Sequence, residues 1–212
     1  MVTPYYQHEG ITIYHGDCRE ILPTLEPVDL VLTDPPYGLG DKWKGGGFNG
    51  RNGQSSVWPN SIPSWDVLAP EAVGLSRQLA EKAIIWGGNY YELPPSRCWL
   101  IWDKVQVFSS ADAELAWSNL DSAVRVFRMS RIDAHMNQER GKSHPTQKPV
   151  ALMKWCLGFS TDAQTILDPF MGSGTTLRAA KDLGRKAIGI EIEERYCEIA
   201  AKRMSQEVLN FS

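Results

Sequence analysis

Residues Val28 to Leu32 form an apolar run broken only by Asp29, and Thr33-Asp34-Pro35-Pro36-Tyr37 closes it. Such a run predicts a strand buried on both faces. Neither proline has an N–H to donate, so a central strand must stop there. The run Thr165 to Asp168 has the same form and is followed by Pro169, Phe170, Met171 and the turn Gly172-Ser173-Gly174-Thr175-Thr176. Alternation over Ile11 to Tyr14 predicts a further strand that leads into His15-Gly16-Asp17-Cys18. A short helix follows over Arg19 to Leu25, limited by Pro23 and Pro27. The pattern next predicts a helix from Pro70 to Glu81, then strands over Ala83 to Trp86 and Cys98 to Trp102. Two more extended segments, Ala113 to Trp117 and Ala123 to Phe127, are expected to pair antiparallel at the sheet edge. A helix from about Pro149 to Leu157 follows, with proline in its first turn. After the Gly172 turn come a helix to about Leu183, a strand over Lys186 to Glu191, and a helix carrying Cys197, Ala200, Ala201, Met204 and Val208 on its apolar face.

Strands alternating with helices imply an α/β protein. The expected fold is one doubly wound, mostly parallel sheet with an antiparallel edge strand. Two segments lack either period. Gly38 to Trp65 is rich in glycine and carries the cations Lys42, Lys44 and Arg51 among the rings Trp43, Phe48 and Trp58. Cations interleaved with rings suit a nucleic-acid clamp, and a floppy insertion is the equal alternative. Residues 128–143 are polar and basic. With no internal repeat and no linker of domain size, residues 1–212 are expected to form one domain.

Composition narrows the class. The 212 residues are 42% hydrophobic and 22% charged, as in a water-soluble globular protein. No apolar run approaches the ~20 residues of a membrane helix, and no basic-then-apolar leader opens the chain. The four cysteines, Cys18, Cys98, Cys156 and Cys197, form no Cys-x-x-Cys pair. Their scatter argues against a disulfide scaffold or a zinc knuckle and points to a reducing, cytoplasmic setting without a metal site. The net charge is −3, yet Arg125 to Lys154 holds seven basic residues against two acids. That stripe of +5 on a body of −8 is a candidate phosphate-facing surface.

Thr33 and Asp34 stand at the carboxyl end of a core strand, where open α/β sheets build ligand sites. Gly172 and Gly174 permit a tight turn beside the free N–H groups of a helix start. No lysine stands next to Thr175, so this is no phosphate-binding P-loop. The third glycine of a dinucleotide fingerprint is missing as well. Glu191 follows Gly172 by 19 residues and ends the next strand, where a carboxylate can accept from ribose hydroxyls.

Together these stretches resemble the DNA amino-methyltransferases that use S-adenosylmethionine. Asp-Pro-Pro-Tyr ahead of Gly-Ser-Gly-Thr-Thr is similar to the β-type order of that family, and the likeness runs from about Gly16 to Met204. The resemblance implies a class I methyltransferase-like fold, S-adenosylmethionine as cofactor, and DNA as partner. It assigns Asp34, Pro35, Pro36 and Tyr37 to catalysis. Asp34 and the Pro35 carbonyl would hold the target amine, and Tyr37 would stack on a base flipped from the duplex. It assigns Asp168, Phe170, Gly172, Ser173, Gly174, Thr175 and Glu191 to the walls of the cofactor site. Asp17 would meet the adenine amine of the cofactor. Gln147 and Lys148 lie in a segment that would close over its methionine end, with Lys148 facing either the cofactor carboxylate or a phosphate. Asp before Pro-Pro-Tyr resembles the N6-adenine members more than most N4-cytosine members, and N4-cytosine remains the alternative. Methylation of glutamine or RNA usually goes with Asn before Pro-Pro-Tyr. An inactive binding module is the third alternative. Between Phe127 and His144 the recognition segment is only about sixteen residues, shorter than the family's long recognition regions. The target sequence would then be short, loosely read, or read partly by a second subunit in a homodimer. Pairing with a restriction enzyme is the expected setting, with carriage by a mobile element as the other.

Overall fold

The computed structural model describes residues 2–39, 66–105, 111–130, 133–134 and 147–206. Most of the proposed clamp (residues 40–65) and most of the recognition segment (131–132 and 135–143) lie outside the described residues, as does Val208. Nine strands form one sheet: β1 Tyr6–His8, β2 Ile11–His15, β3 Val28–Thr33, β4 Ala80–Trp86, β5 Cys98–Asp103, β6 Ala113–Ser118, β7 Arg125–Arg128, β8 Thr165–Asp168 and β9 Lys186–Glu191. Their order across the sheet is β1-β2-β9-β8-β3-β4-β6-β5-β7. The helices are α1 Cys18–Ile21, α2 Pro70–Gln78, α3 Val150–Leu157, α4 Thr175–Asp182 and α5 Glu194–Met204. None of them is long and apolar enough to cross a membrane.

The period of two along each strand sorts side chains onto two cores. Leu30, Leu32, Ile84, Trp86 and Ile166 face the layer that also holds Leu152, Leu177 and Met204. Val31, Ala83, Ile85 and Leu167 face the layer that holds Ile21, Leu22 and Val73. β3 lies between β4 and β8, parallel to both, which is why its sequence is apolar on both faces. Asp29 interrupts that run for a reason absent from the hydrophobic pattern. Its carboxylate accepts from the Gln164 N–H at 2.8 Å, the Thr165 N–H at 2.8 Å and the Thr165 hydroxyl at 2.7 Å, tying the start of β3 to the start of β8.

Two expectations need correction. The helix expected to reach Glu81 stops at Gln78, and Ala80 to Lys82 join β4. In register, Ala80 pairs with Val28 and Lys82 with Leu30, so ladder bonds to β3 replace the last helical turn. The segments at Ala113 and Ala123 do not pair with one another. β6 inserts antiparallel between β4 and β5, and β7 runs parallel to β5 at the edge. The expected antiparallel edge strand is present as β1, at the opposite side.

From β8 the chain moves to β9 on one side, and from β3 to β4 on the other. The pair β8–β3 is thus the topological switch point, and a crevice opens beyond the carboxyl ends of its strands.

Candidate active site

The strand ends at the switch line one cavity of about 600 Å³, within the usual size for a small-molecule site. β3 delivers Asp34 to Tyr37, β8 delivers Asp168 to the glycine turn, β9 delivers Glu191, and the loop after β2 delivers Asp17. Gln147 and Lys148, just before α3, complete the wall. Of the residues that the sequence assigns to catalysis or to the cofactor, only Gly174 is not in that wall. It caps α4 with φ 79°, and a Cβ there would stand 3.0 Å from the Ala200 Cβ of α5. Only a residue at ease with positive φ and without a side chain fits that approach.

At one end Glu191 is fixed by backbone donors. Its Oε2 accepts from the Gly172 N–H at 3.0 Å and its Oε1 from the Glu193 N–H at 2.8 Å. Burial raises its pKa and the backbone bonds pull the other way, leaving it above its ordinary value. Each oxygen keeps a lone pair for a further donor. Asp17 caps α1 by accepting from the Arg19 N–H at 2.9 Å, and the Arg19 guanidinium lies on the same carboxylate, which lowers its pKa. Phe170, Met171, Ile190 and Ile192 give this end an apolar lining. Two fixed acids beside apolar walls can hold the hydroxyls and amine of a nucleoside.

Between the two ends stands Asp168, 3% exposed. The Thr33 hydroxyl donates to its Oδ1 at 2.7 Å across the switch, and the Phe170 N–H donates at 3.2 Å. Burial dominates and pushes its pKa up to about 6.

The other end holds a chain of charges. Asp34 Oδ1 accepts from the Tyr37 hydroxyl at 2.6 Å, and Oδ2 pairs with Lys148 Nζ at 2.6 Å. Lys148 is 5% exposed and also reaches Glu114 Oε2 at 2.9 Å, while Glu114 Oε1 pairs with Lys104 Nζ at 2.6 Å. The indole of Trp86 and the ring of Tyr37 lie 5.8 and 5.3 Å from the Lys148 ammonium. Asp34 and Glu114 hold the charge of Lys148. Burial raises the Asp34 pKa, Lys148 draws it down and Glu114 pushes it up, and the net direction is upward. The Tyr37 ring stacks on Tyr90 with centroids 5.0 Å apart and rests on the Gly87 backbone. Tyr91 donates to the Pro36 carbonyl, which holds the second proline in place. Asp66 accepts from the Gly38 and Leu39 N–H groups at 2.9 and 3.0 Å.

Glu114, Lys104, Tyr90 and Gly87 were not among the residues singled out from sequence. An acid inside the short apolar strand Ala113 to Ser118 was the available signal for Glu114. A carboxylate and a backbone carbonyl at a stiff strand end can together grip an amine, and the fixed acids opposite can grip a nucleoside.

A family model described as DNA methylase, N6_N4_Mtase, matches residues 55–202. The type II methyltransferase M.HinfI of Haemophilus influenzae is 29% identical over 92% of this chain and 68% of its own length. The type II methyltransferase M2.DpnII of Streptococcus pneumoniae is 27% identical over 98% of this chain and 94% of its own. Among solved structures, the M1.HpyAVI–SAM complex superposes with a TM-score of 0.57 at 23% identity, covering 92% of this chain and all of that one. The PvuII DNA methyltransferase, named cytosine-N4-specific, superposes at 0.63 with 15% identity, over 98% of this chain and 90% of that one. The last two likenesses concern the fold.

Proposed function

The chain belongs to the family of DNA methylases whose model spans its residues 55–202, and from that premise we propose that it methylates the N6 amine of adenine in DNA. The cofactor is S-adenosylmethionine. The observation that carries the reading is Asp34-Pro35-Pro36-Tyr37 facing one cavity with Glu191 and the Gly172 turn. This matters because the family match starts downstream of Asp34, so the geometry supports the catalytic assignment independently.

The cavity fits the cofactor by volume and by the two acids at its apolar end. Glu191 would accept from ribose hydroxyls and Asp17 from the adenine amine. When bound, the sulfonium supplies an electrophilic methyl group. The chain's own task is to present the target nitrogen. An exocyclic amine is a poor nucleophile because its lone pair is delocalised into the ring. Asp34 and the Pro35 carbonyl accept its two N–H bonds and hold the nitrogen with its lone pair toward the methyl. This is orientation and electrostatic stabilisation without a covalent intermediate. The proton released on transfer passes to Asp34 or to water. The base leaves the duplex to reach Asp34, at a cost of a few kcal/mol in lost stacking and pairing. Tyr37, backed by the stacked ring of Tyr90, would stack on the flipped base. Asp rather than Ser ahead of Pro-Pro-Tyr favours adenine over cytosine.

Incubation with S-adenosylmethionine and unmethylated phage DNA, followed by mass spectrometry of the digested nucleosides, tests this. N6-methyladenine is expected. N4-methylcytosine alone would refute the base assignment, and no methylated base would refute the activity.

A further inference from the structure

The Lys148 ammonium sits between two carboxylates, 2.6 Å from Asp34 Oδ2 and 2.9 Å from Glu114 Oε2. We propose that Glu114 is a positioning residue, which draws the Lys148 charge partly off Asp34 and so keeps Asp34 a strong acceptor for the target amine. The inference rests on the proposed function for what Asp34 accepts.

A carboxylate paired one-to-one with a buried ammonium is a weak acceptor, because its charge is already neutralised at short range. Here the ammonium is shared. Glu114 itself is held from its far side by Lys104 at 2.6 Å, so it is fixed between two cations. Among the described residues two lysines and two acids are linked in this chain, and both lysines are almost fully buried. Apolar residues of similar volume would usually stabilise a core as well or better than such a set. Its place against the cavity wall, touching the catalytic carboxylate, gives it a use that stability does not.

The protonation states agree with this division. Burial raises Glu114, yet Lys148 and Lys104 outweigh it and hold the acid down to about 2. Burial lowers Lys148, yet Asp34 and Glu114 outweigh that and carry it up to about 12. Glu114 is therefore anionic and Lys148 cationic at neutral pH. The groups that face Asp34 are Lys148 from the segment before α3, Glu114 on β6, Tyr37 on its own segment, Tyr91 after β4 and Asp168 on β8. Of these, Lys148 lowers Asp34 and Glu114 raises it.

Removing one partner or the other should therefore move Asp34 in opposite directions. The test is an NMR titration of 13C-labelled aspartate carboxyls in the full-length protein, free of DNA. The Asp34 resonance is the one missing from Asp34→Asn. Glu114→Gln should lower its pKa by about one unit, and Lys148→Met should raise it by about one unit. An Asp34 that is unmoved or raised in Glu114→Gln overturns the proposal. Should Glu114→Gln fail to fold, Lys104→Met decides it. Without its second cation Glu114 takes more of Lys148, and Asp34 should rise; no rise overturns the proposal. The titration needs neither DNA nor turnover. A wild-type protein that methylates no DNA would sink the proposed function without touching this result.

Discussion

Asp168 is a single side chain whose protonation links stability to pH. Its pKa is pushed up to about 6 from an ordinary 3.8, chiefly by burial. Between those values the folded protein binds the proton and the unfolded chain does not. Stability from this group is therefore full at low pH and is lost as pH rises through about 6. Asp168→Asn keeps an acceptor for the Thr33 hydroxyl and removes the buried charge. The cofactor-free variant should melt higher than wild type at pH 8, by on the order of 1–3 kcal/mol, with the gap closing toward pH 4. A variant that melts lower at pH 8 would show that the carboxylate is needed for packing. On the proposed mechanism Asp34 differs, because its charge would act in the reaction and its ion pair lies at the cavity wall. Asp34→Ala should retain a cooperative melt and lose transfer by at least ~100-fold in single-turnover assays, as expected of a group acting in the transition state. Near wild-type turnover would refute the mechanism. Tyr37→Phe deletes only the hydroxyl bonded to Asp34, whereas Tyr37→Ala removes the stacked ring, so the first should be the milder in the same assay.

Among the elements, the turn after β4 has the most direct hold on the site. Gly87 has φ 65°, and its N–H donates to the Leu115 carbonyl at 2.8 Å. A Cβ built there would stand 2.0 Å from Cε1 of Tyr37. Gly87→Ala should displace the Tyr37 ring from Tyr90 and lower transfer by about 10-fold, while costing about 1 kcal/mol for the left-handed backbone. Affinity for S-adenosylhomocysteine, measured by calorimetry, should not change; a parallel loss of both would place Gly87 in the cofactor site. In the sequence Gly87-Gly88 reads as a strand stop, and its contact with Tyr37 cannot be read there, since it links turns 50 residues apart. β6 shows the same limit. Alternation marks Ala113 to Trp117 as extended but carries no information on partner or direction. Its insertion between β4 and β5 is what carries Glu114 to Lys148. Leu79 and Ala80 continue an apolar helical stripe in the sequence, but Leu79 caps α2, and pairing of Ala80 with Val28 and of Lys82 with Leu30 makes strand from Ala80 onward.

At the scale of the whole molecule, the motif order was legible because each motif ends a buried strand, and buried strands advertise themselves by apolar runs. The sheet order explains why motifs more than 130 residues apart share one cavity. β3 and β8 are neighbours, and their exits diverge at the switch. Asp34 follows β3, while the Gly172 turn follows β8 and Glu191 ends β9, so the groups proposed to grip the amine and the nucleoside come from different strands around one cavity. That separation predicts separable defects. Glu191→Ala removes the carboxylate that Gly172 and Glu193 hold in place, and ribose hydroxyls bound there would lose an acceptor at ~1–3 kcal/mol. Calorimetry with S-adenosylhomocysteine should show affinity weakened by about 10-fold or more, while turnover at saturating S-adenosylmethionine stays within a few-fold of wild type. The switch places Glu191 far from the amine, so a loss confined to turnover with affinity unchanged would move the cofactor to another part of the cavity.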